Sequence, residues 1–194
     1  MGGSQGARSV NDFIAAHLAH DPDAWRDHGW QAIHLAGEGA VERIGAAYEK
    51  ASVRARVLPF TDDIGAAWSA ATLHVGRAGA GAVAEAQVAG VPSLFFPYPF
   101  HKDRHQAHNA QPLVARGQAR ILDDQRTAEA NLACHGSDFS ESLRANAVAP
   151  PRDIRSIEDG ARGAIDTLVK QGYLASCYLE PGAPQSERFI QTPS

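Results

Sequence analysis

The sequence predicts an α/β fold, a parallel sheet with helices on both faces. Three observations predict it. Strand-like and helix-like segments alternate along the first 122 residues, the connections between them are short, and the strands are apolar runs. Alternation with short links implies right-handed βαβ crossovers. Unbroken apolar runs are what a sheet covered on both sides requires.

The elements follow in order. Val10, Phe13, Ile14, His17 and Leu18 are spaced to share one face of a first helix. Residues 30–36 read as a short buried strand ended by Gly37, and 41–52 as a helix. Residues 55–60 form a second strand. Thr61-Asp62-Asp63 then caps a helix running to Ala71, because these side chains accept the free amide hydrogens of a first turn. A third strand covers 73–76. An Ala-rich helix follows Gly79 and stops at Gly90, a residue suited to helix ends. The fourth strand is 91–96, a helix spans about 103–116 and ends at Gly117, and the fifth strand is 119–122. After Asp124 the pattern weakens: 131–149 is polar and mixed, Pro150-Pro151 breaks it, and 154–171 reads as one more helix. The domain is therefore expected to cover 1–172, with 173–194 a disordered tail rich in proline and poor in apolar residues.

Composition narrows the function. The 194 residues are 44% hydrophobic and 21% charged, with a net charge of −4. A dedicated nucleic-acid binder would carry a basic footprint, so none is expected. Two cysteines, Cys134 and Cys177, are too few for a disulfide scaffold or a cysteine-rich zinc site, and a reducing cytoplasm is the simplest home. No apolar run reaches the roughly 20 residues needed to cross a bilayer.

Four segments carry polar or glycine-rich chemistry, and all four lie on loops that lead into helices. Gly2-Gly3-Ser4-Gln5-Gly6 precedes the first helix, so backbone amides and the positive helix end face any anion held there. Arg77-Ala78-Gly79-Ala80-Gly81-Ala82-Val83-Ala84-Glu85 repeats this arrangement after the third strand, with small residues leaving room and a carboxylate one turn in that can accept from a ribose diol. The same stretch contains a variant of the dinucleotide fingerprint, but the acid which that motif places at the end of the next strand is missing. A nicotinamide enzyme is thus an outside alternative. His101, Asp103, His105, Gln106, His108 and Asn109 begin another helix. His108 turns away from His101 and no second ligand cluster exists, so sugar recognition fits them better than metal. Phe60-Thr61 offers a ring and a loop backbone to a base. Ligands bind beyond the carboxyl ends of the strands in open α/β sheets. Together the loops describe a nucleotide-sugar site.

Gly2 to Ala7, Leu58-Pro59-Phe60-Thr61-Asp62-Asp63, Arg77-Ala78-Gly79-Ala80 with Glu85, Gly90-Val91-Pro92, and His105-Gln106-x-x-Asn109-Ala110 occur in this order. In these motifs the chain resembles the C-terminal domain of the MurG glycosyltransferases. The resemblance implies a GT-B architecture of two Rossmann-like domains, and it implies transfer of N-acetylglucosamine from UDP-N-acetylglucosamine to lipid I. By similarity, Ser4 and Gln5 meet the diphosphate or sugar and the Thr61 backbone reads uracil. Arg77 adds a positive charge, Ala80, Gly81, Ala82, Val83 and Ala84 offer amides to the diphosphate, and Glu85 holds the ribose. His105 and Gln106 bind the sugar hydroxyls. The implied transfer is inverting, needs neither metal nor cofactor, and takes place at the inner face of the cytoplasmic membrane.

The sequence departs from that pattern in places. Gly81 and Ala82 stand where the family carries a larger apolar residue and Thr, and 125–155 differs from its helices. The N-terminal acceptor domain, with the general base, and the strand feeding the first glycine loop are expected from elsewhere: a longer reading frame, or a membrane partner in a split transferase. Residues 1–194 alone are therefore expected to be poorly stable and catalytically inactive.

Overall fold

The computed structural model describes residues 7–100 and 104–147. Seven α-helices and five strands alternate along them: α1 Arg8–His20, α2 Asp23–Arg26, β1 Gln31–Leu35, α3 Val41–Lys50, β2 Arg54–Leu58, α4 Ile64–Ala70, β3 His74–Gly76, α5 Ala80–Ala89, β4 Ser93–Phe95, α6 His105–Ala115, β5 Ala119–Ile121 and α7 Ala128–Ala147. All strand pairing among them is parallel, as expected. The expected caps are also found. Asp63 accepts from the Ala66 amide at the start of α4, and Gly90 ends α5 in the left-handed conformation at φ 59°.

β4 shows why the fold needs apolar runs. Leu94 and Phe96 enter the core beneath α1 and α7, while Phe95 enters the core beneath α4, α5 and α6. Alternate residues thus serve opposite faces of a strand covered on both. Phe13 on α1 stacks at 5.1 Å on Phe96 and at 5.3 Å on Phe139 of α7.

Two features differ from the sequence expectation. The strands form two hydrogen-bonded sheets among the described residues, β1-β2 and β3-β4-β5, rather than one. In the first, Gln31, Ile33, Arg54 and Arg56 are exposed in register, so one face of it meets water. The second difference is α7, a 20-residue helix where the pattern had weakened. Its inward face includes Asn131, Gly136, Ser140 and Ser142 beside Phe139 and Leu143, so an apolar period does not reveal it. The expected helix 154–171 and tail 173–194 lie outside the described residues.

The polar contacts on that face are satisfied in a chain. Trp25 Nε1 donates to His17 Nδ1 at 3.1 Å, which leaves the proton on His17 Nε2, 2.9 Å from Ser140 Oγ. Ser140 donates in turn to Asp21 at 2.6 Å. Burial is the main reason the His17 pKa falls to about 4, against a smaller opposing pull from Asp21. The Ser140 hydrogen bond holds the Asp21 carboxyl below its usual range.

This chain of bonds makes stability depend on pH. Below pH 6.5 the unfolded chain protonates His17 while the folded protein does not, so the stabilisation is present above 6.5 and is lost as pH falls toward 4. Urea unfolding should lose about 3 kcal/mol across that window from His17, at about 1.4 kcal/mol per pH unit. His17→Gln should reduce the slope there by the His17 share, the buried His34 and His74 keeping the remainder, and an unchanged slope would contradict the assignment.

Candidate functional site

The candidate site is built where the parallel strands end. Thr61 follows β2, Arg77 and Gly79 follow β3, Tyr98 and Gln106 follow β4, and Asp124 follows β5. One guanidinium ties these loops together. Arg77 donates to the carbonyls of Phe96 and Pro97 at 3.0 and 3.2 Å, to Asp124 at 2.7 Å, and to Ser9 Oγ on α1 at 2.7 Å. Its side chain is 15% exposed, and that of Asp124 is fully buried.

Asp124 is itself saturated. Ser9 and Arg77 bond one oxygen; Asn131 and the Arg126 amide bond the other. Burial opposes its charge, but these four donors outweigh burial and keep the carboxyl below its usual range. The Asn131 side-chain oxygen accepts from the Gln125 backbone amide, so α7 begins locked to the same loop.

α5 starts at Ala80, directly after Gly79, with no side chain capping its free amides. Asn109 of α6 donates to the Ala78 carbonyl at 3.2 Å and steadies this turn. Glu85, half-buried one turn along, accepts from Trp68 Nε1 at 2.8 Å through one oxygen. That bond joins α4, which follows the Thr61 loop, to α5. Thr61 Oγ1 accepts from the Asp63 amide at 3.2 Å, and the neighbouring Phe60 ring is 63% exposed. Gln106 Oε1 accepts from the Tyr98 amide at 2.9 Å, which leaves its NH₂ group for other partners; His105 is exposed beside it.

The structure thus brings Arg77, Ala80, Gly81, Ala82, Val83, Ala84, Glu85, Thr61, His105 and Gln106 to loops and helix starts at one rim. Val83 is buried and its amide bonds the Gly79 carbonyl, so among these residues it faces the core. Ser4, Gln5, His101 and Asp103 lie outside the described residues. Among the described residues, no three His, Cys, Asp or Glu side chains are grouped as a metal site. Three residues of the rim escaped the sequence reading, Ser9, Trp68 and Asp124, and each acts through partners distant in sequence.

A family model described as the glycosyltransferase family 28 C-terminal domain matches residues 1–151. The chain belongs to that family. A relative from Nitratidesulfovibrio vulgaris, named UDP-N-acetylglucosamine--N-acetylmuramyl-(pentapeptide) pyrophosphoryl-undecaprenol N-acetylglucosamine transferase, is 37% identical over 172 residues, covering 88% of this chain and 46% of the relative. A relative of the same name from Nitrosococcus oceani is 40% identical over 144 residues, covering 72% of this chain and 39% of its own length. The crystal structure of Acinetobacter baumannii MurG superposes with a TM-score of 0.59 at 27% identity, over 88% of this chain and 48% of that one. The family 28 domain thus has the α/β fold of MurG and spans about half the length of the relatives it matches. The resemblance drawn from its motifs is borne out.

The Arg77–Asp124 pair sets a stability test for the domain. Asp124→Asn leaves Arg77 uncompensated in a mostly dry site and should cost about 3 kcal/mol in urea unfolding. Arg77→Met combined with Asp124→Leu should cost less than Asp124→Asn alone. Equal losses would show that the pairing itself is unimportant.

Proposed function

We propose that this domain is the donor-binding half of an inverting transferase that moves N-acetylglucosamine from UDP-N-acetylglucosamine to lipid I, giving lipid II. The observation that carries the reading is the uncapped start of α5 with Glu85 held one turn along by Trp68. The free amides of the first turn, at Ala80, Gly81 and Ala82, and the positive helix end suit a diphosphate, with Val83 and Ala84 continuing the helix behind them. A carboxylate with one oxygen fixed by an indole suits the two hydroxyls of a ribose. The names of the relatives supply the sugar and the acceptor.

Each remaining residue takes a role in that frame. Ser4 and Gln5 contact the diphosphate or sugar side, and the Thr61 backbone pairs with the uracil edge beside the exposed Phe60. Gln106, oriented by the Tyr98 amide, and His105 bind sugar hydroxyls. Arg77 adds positive charge behind the diphosphate while it braces the loops.

The acceptor hydroxyl attacks the anomeric carbon as the bond to UDP breaks, and negative charge grows on the leaving diphosphate. Amides already aimed at that charge stabilise the transition state without reorganising. A general base on the acceptor half takes the hydroxyl proton. A second polypeptide half therefore completes the reaction, in cis or as a membrane-bound partner. In this reading the work takes place at the inner face of the cytoplasmic membrane, in keeping with the undecaprenol-linked acceptor in the relatives' names.

Isothermal titration of residues 1–194 tests the proposal. UDP-N-acetylglucosamine should bind equally with Mg²⁺ or with EDTA, and NADH should not compete. Glu85→Ala should weaken binding about tenfold to a hundredfold, the worth of a hydrogen bond to a charged group. Trp68→Phe, which keeps a ring but removes the N–H, should weaken it by less. Undiminished binding in Glu85→Ala would remove the ribose assignment.

A further inference from the structure

His74 of β3 is 7% exposed, and its two ring nitrogens are the buried side-chain polar atoms without a hydrogen-bond partner among the described residues. Burial pushes its pKa well below the ordinary value, so the ring is neutral. Buried polar groups normally find partners, and valine or isoleucine suits a covered strand better. Filling space therefore does not account for an imidazole at this position. Residues that break such rules are expected where function requires them.

What the imidazole does have is two aromatic neighbours. Leu73 and Val75 turn to the core beneath α1 and α7, so alternation turns His74 to the opposite face of β3. There its ring lies 4.7 Å from that of Trp68, tilted by 43°, and 5.4 Å from that of Phe95, edge to face at 63°. Both spacings fall in the range where aromatic pairs attract. The backbone beneath is fixed as well. The His74 amide donates to the Pro92 carbonyl at 2.9 Å, and β3 pairs with β4 so that His74 faces Ser93 and Gly76 faces Phe95.

Trp68 needs support of this kind. It is the buried residue of α4, a helix of seven residues, about two turns, which is too short to be rigid by itself. An indole N–H lies in the plane of its ring, so the tilt of the ring decides where the bond is aimed. In Trp68 it is aimed at Glu85, 2.8 Å away. A stack thus runs from Phe95 on β4 through His74 on β3 to Trp68 on α4, and it ends on the carboxylate of α5.

We propose that His74 is a positioning residue for nucleotide binding: its flat face, backed by Phe95, sets the indole of Trp68 and through it the Glu85 carboxylate that receives the ribose. The role rests on the assignment of Glu85 to the ribose. Imidazole is the smallest flat side chain, so it fits between two larger rings where valine would offer no face. The unpaired nitrogens cost stability, and the return is a carboxylate already aimed before the ligand arrives.

The test compares UDP with 2′,3′-dideoxy-UDP, which lacks both ribose hydroxyls, by isothermal titration of residues 1–194. The parent chain should prefer UDP about tenfold or more. His74→Val should cut that preference about fivefold through weaker binding of UDP, with unchanged affinity for the dideoxy ligand, which also reports that the variant is folded. His74→Phe restores a flat face and should recover most of the preference. Glu85→Ala should abolish the preference, and adding His74→Val to it should change nothing further, because the contact both residues serve is gone. A preference lost in Glu85→Ala but kept in His74→Val would overturn the role of His74 and leave the ribose assignment standing. Equal weakening of both ligands in His74→Val, or a His74→Phe variant no better than His74→Val, would overturn it too. A preference that survives Glu85→Ala would remove both assignments together.

Discussion

The buried pairing of Arg77 with Asp124 is the constraint on which the rest of the rim depends. Five segments meet at this contact: the start of α1 through Ser9, the end of β3, the loop after β4, the loop after β5, and the first turn of α7 through Asn131. A lone buried ion pair seldom stabilises a fold, because desolvation offsets its attraction. Here every oxygen of the acid and both terminal nitrogens of the guanidinium are engaged, so the charge is dispersed over hydrogen bonds rather than left to one partner. The gain is geometric. Loops that would otherwise be independent hold fixed positions over the strand ends.

The sequence reveals the covalent rhythm of this fold more readily than its lateral order. All five strands and the helices α1 and α3 to α6 were legible, because they carry local signals: an apolar run, an Asp63 cap, a Gly90 stop; the four-residue α2 was not. The division into two sheets was not, since which strands pair depends on neighbours that no local pattern records. α7 was missed for a different reason. Its buried face spends Asn131 and Ser140 on hydrogen bonds to Asp124, His17 and Asp21, so its inward stripe looks like surface. At the site, glycines and Glu85 stood out because helix-start loops have a recognisable composition. Ser9, Trp68 and Asp124 did not, because each acts on a residue far along the chain, and such pairs leave no trace in spacing.

No ladder of hydrogen bonds joins β1 to β3 among the described residues, so side chains carry the connection between the halves. Phe13 stacks on Phe96, and Ser9 bridges to Arg77. Both contacts start from α1, which also packs on α3 and α7. This helix is therefore the mechanical link between the two sheets. Its polar inward residues have a use as well: Asn11 donates to the Ala36 carbonyl at 2.8 Å and meets His34, fixing the end of β1 against the helix.

Rigidity at this rim bears directly on chemistry. A leaving diphosphate gains stabilisation only from dipoles that already point at it, since reorienting them during reaction would consume what they give. Under the proposed function, the α5 amides would meet that condition because both ends of their turn are anchored, Ala78 by Asn109 and Glu85 by Trp68. Both anchors come from helices that follow other strands, α4 after β2 and α6 after β4. Gly81 and Ala82 put no large side chain on this turn, and the anchors from α4 and α6 hold it from outside. Precision at the helix start is thus a property of the whole rim rather than of its glycine loop.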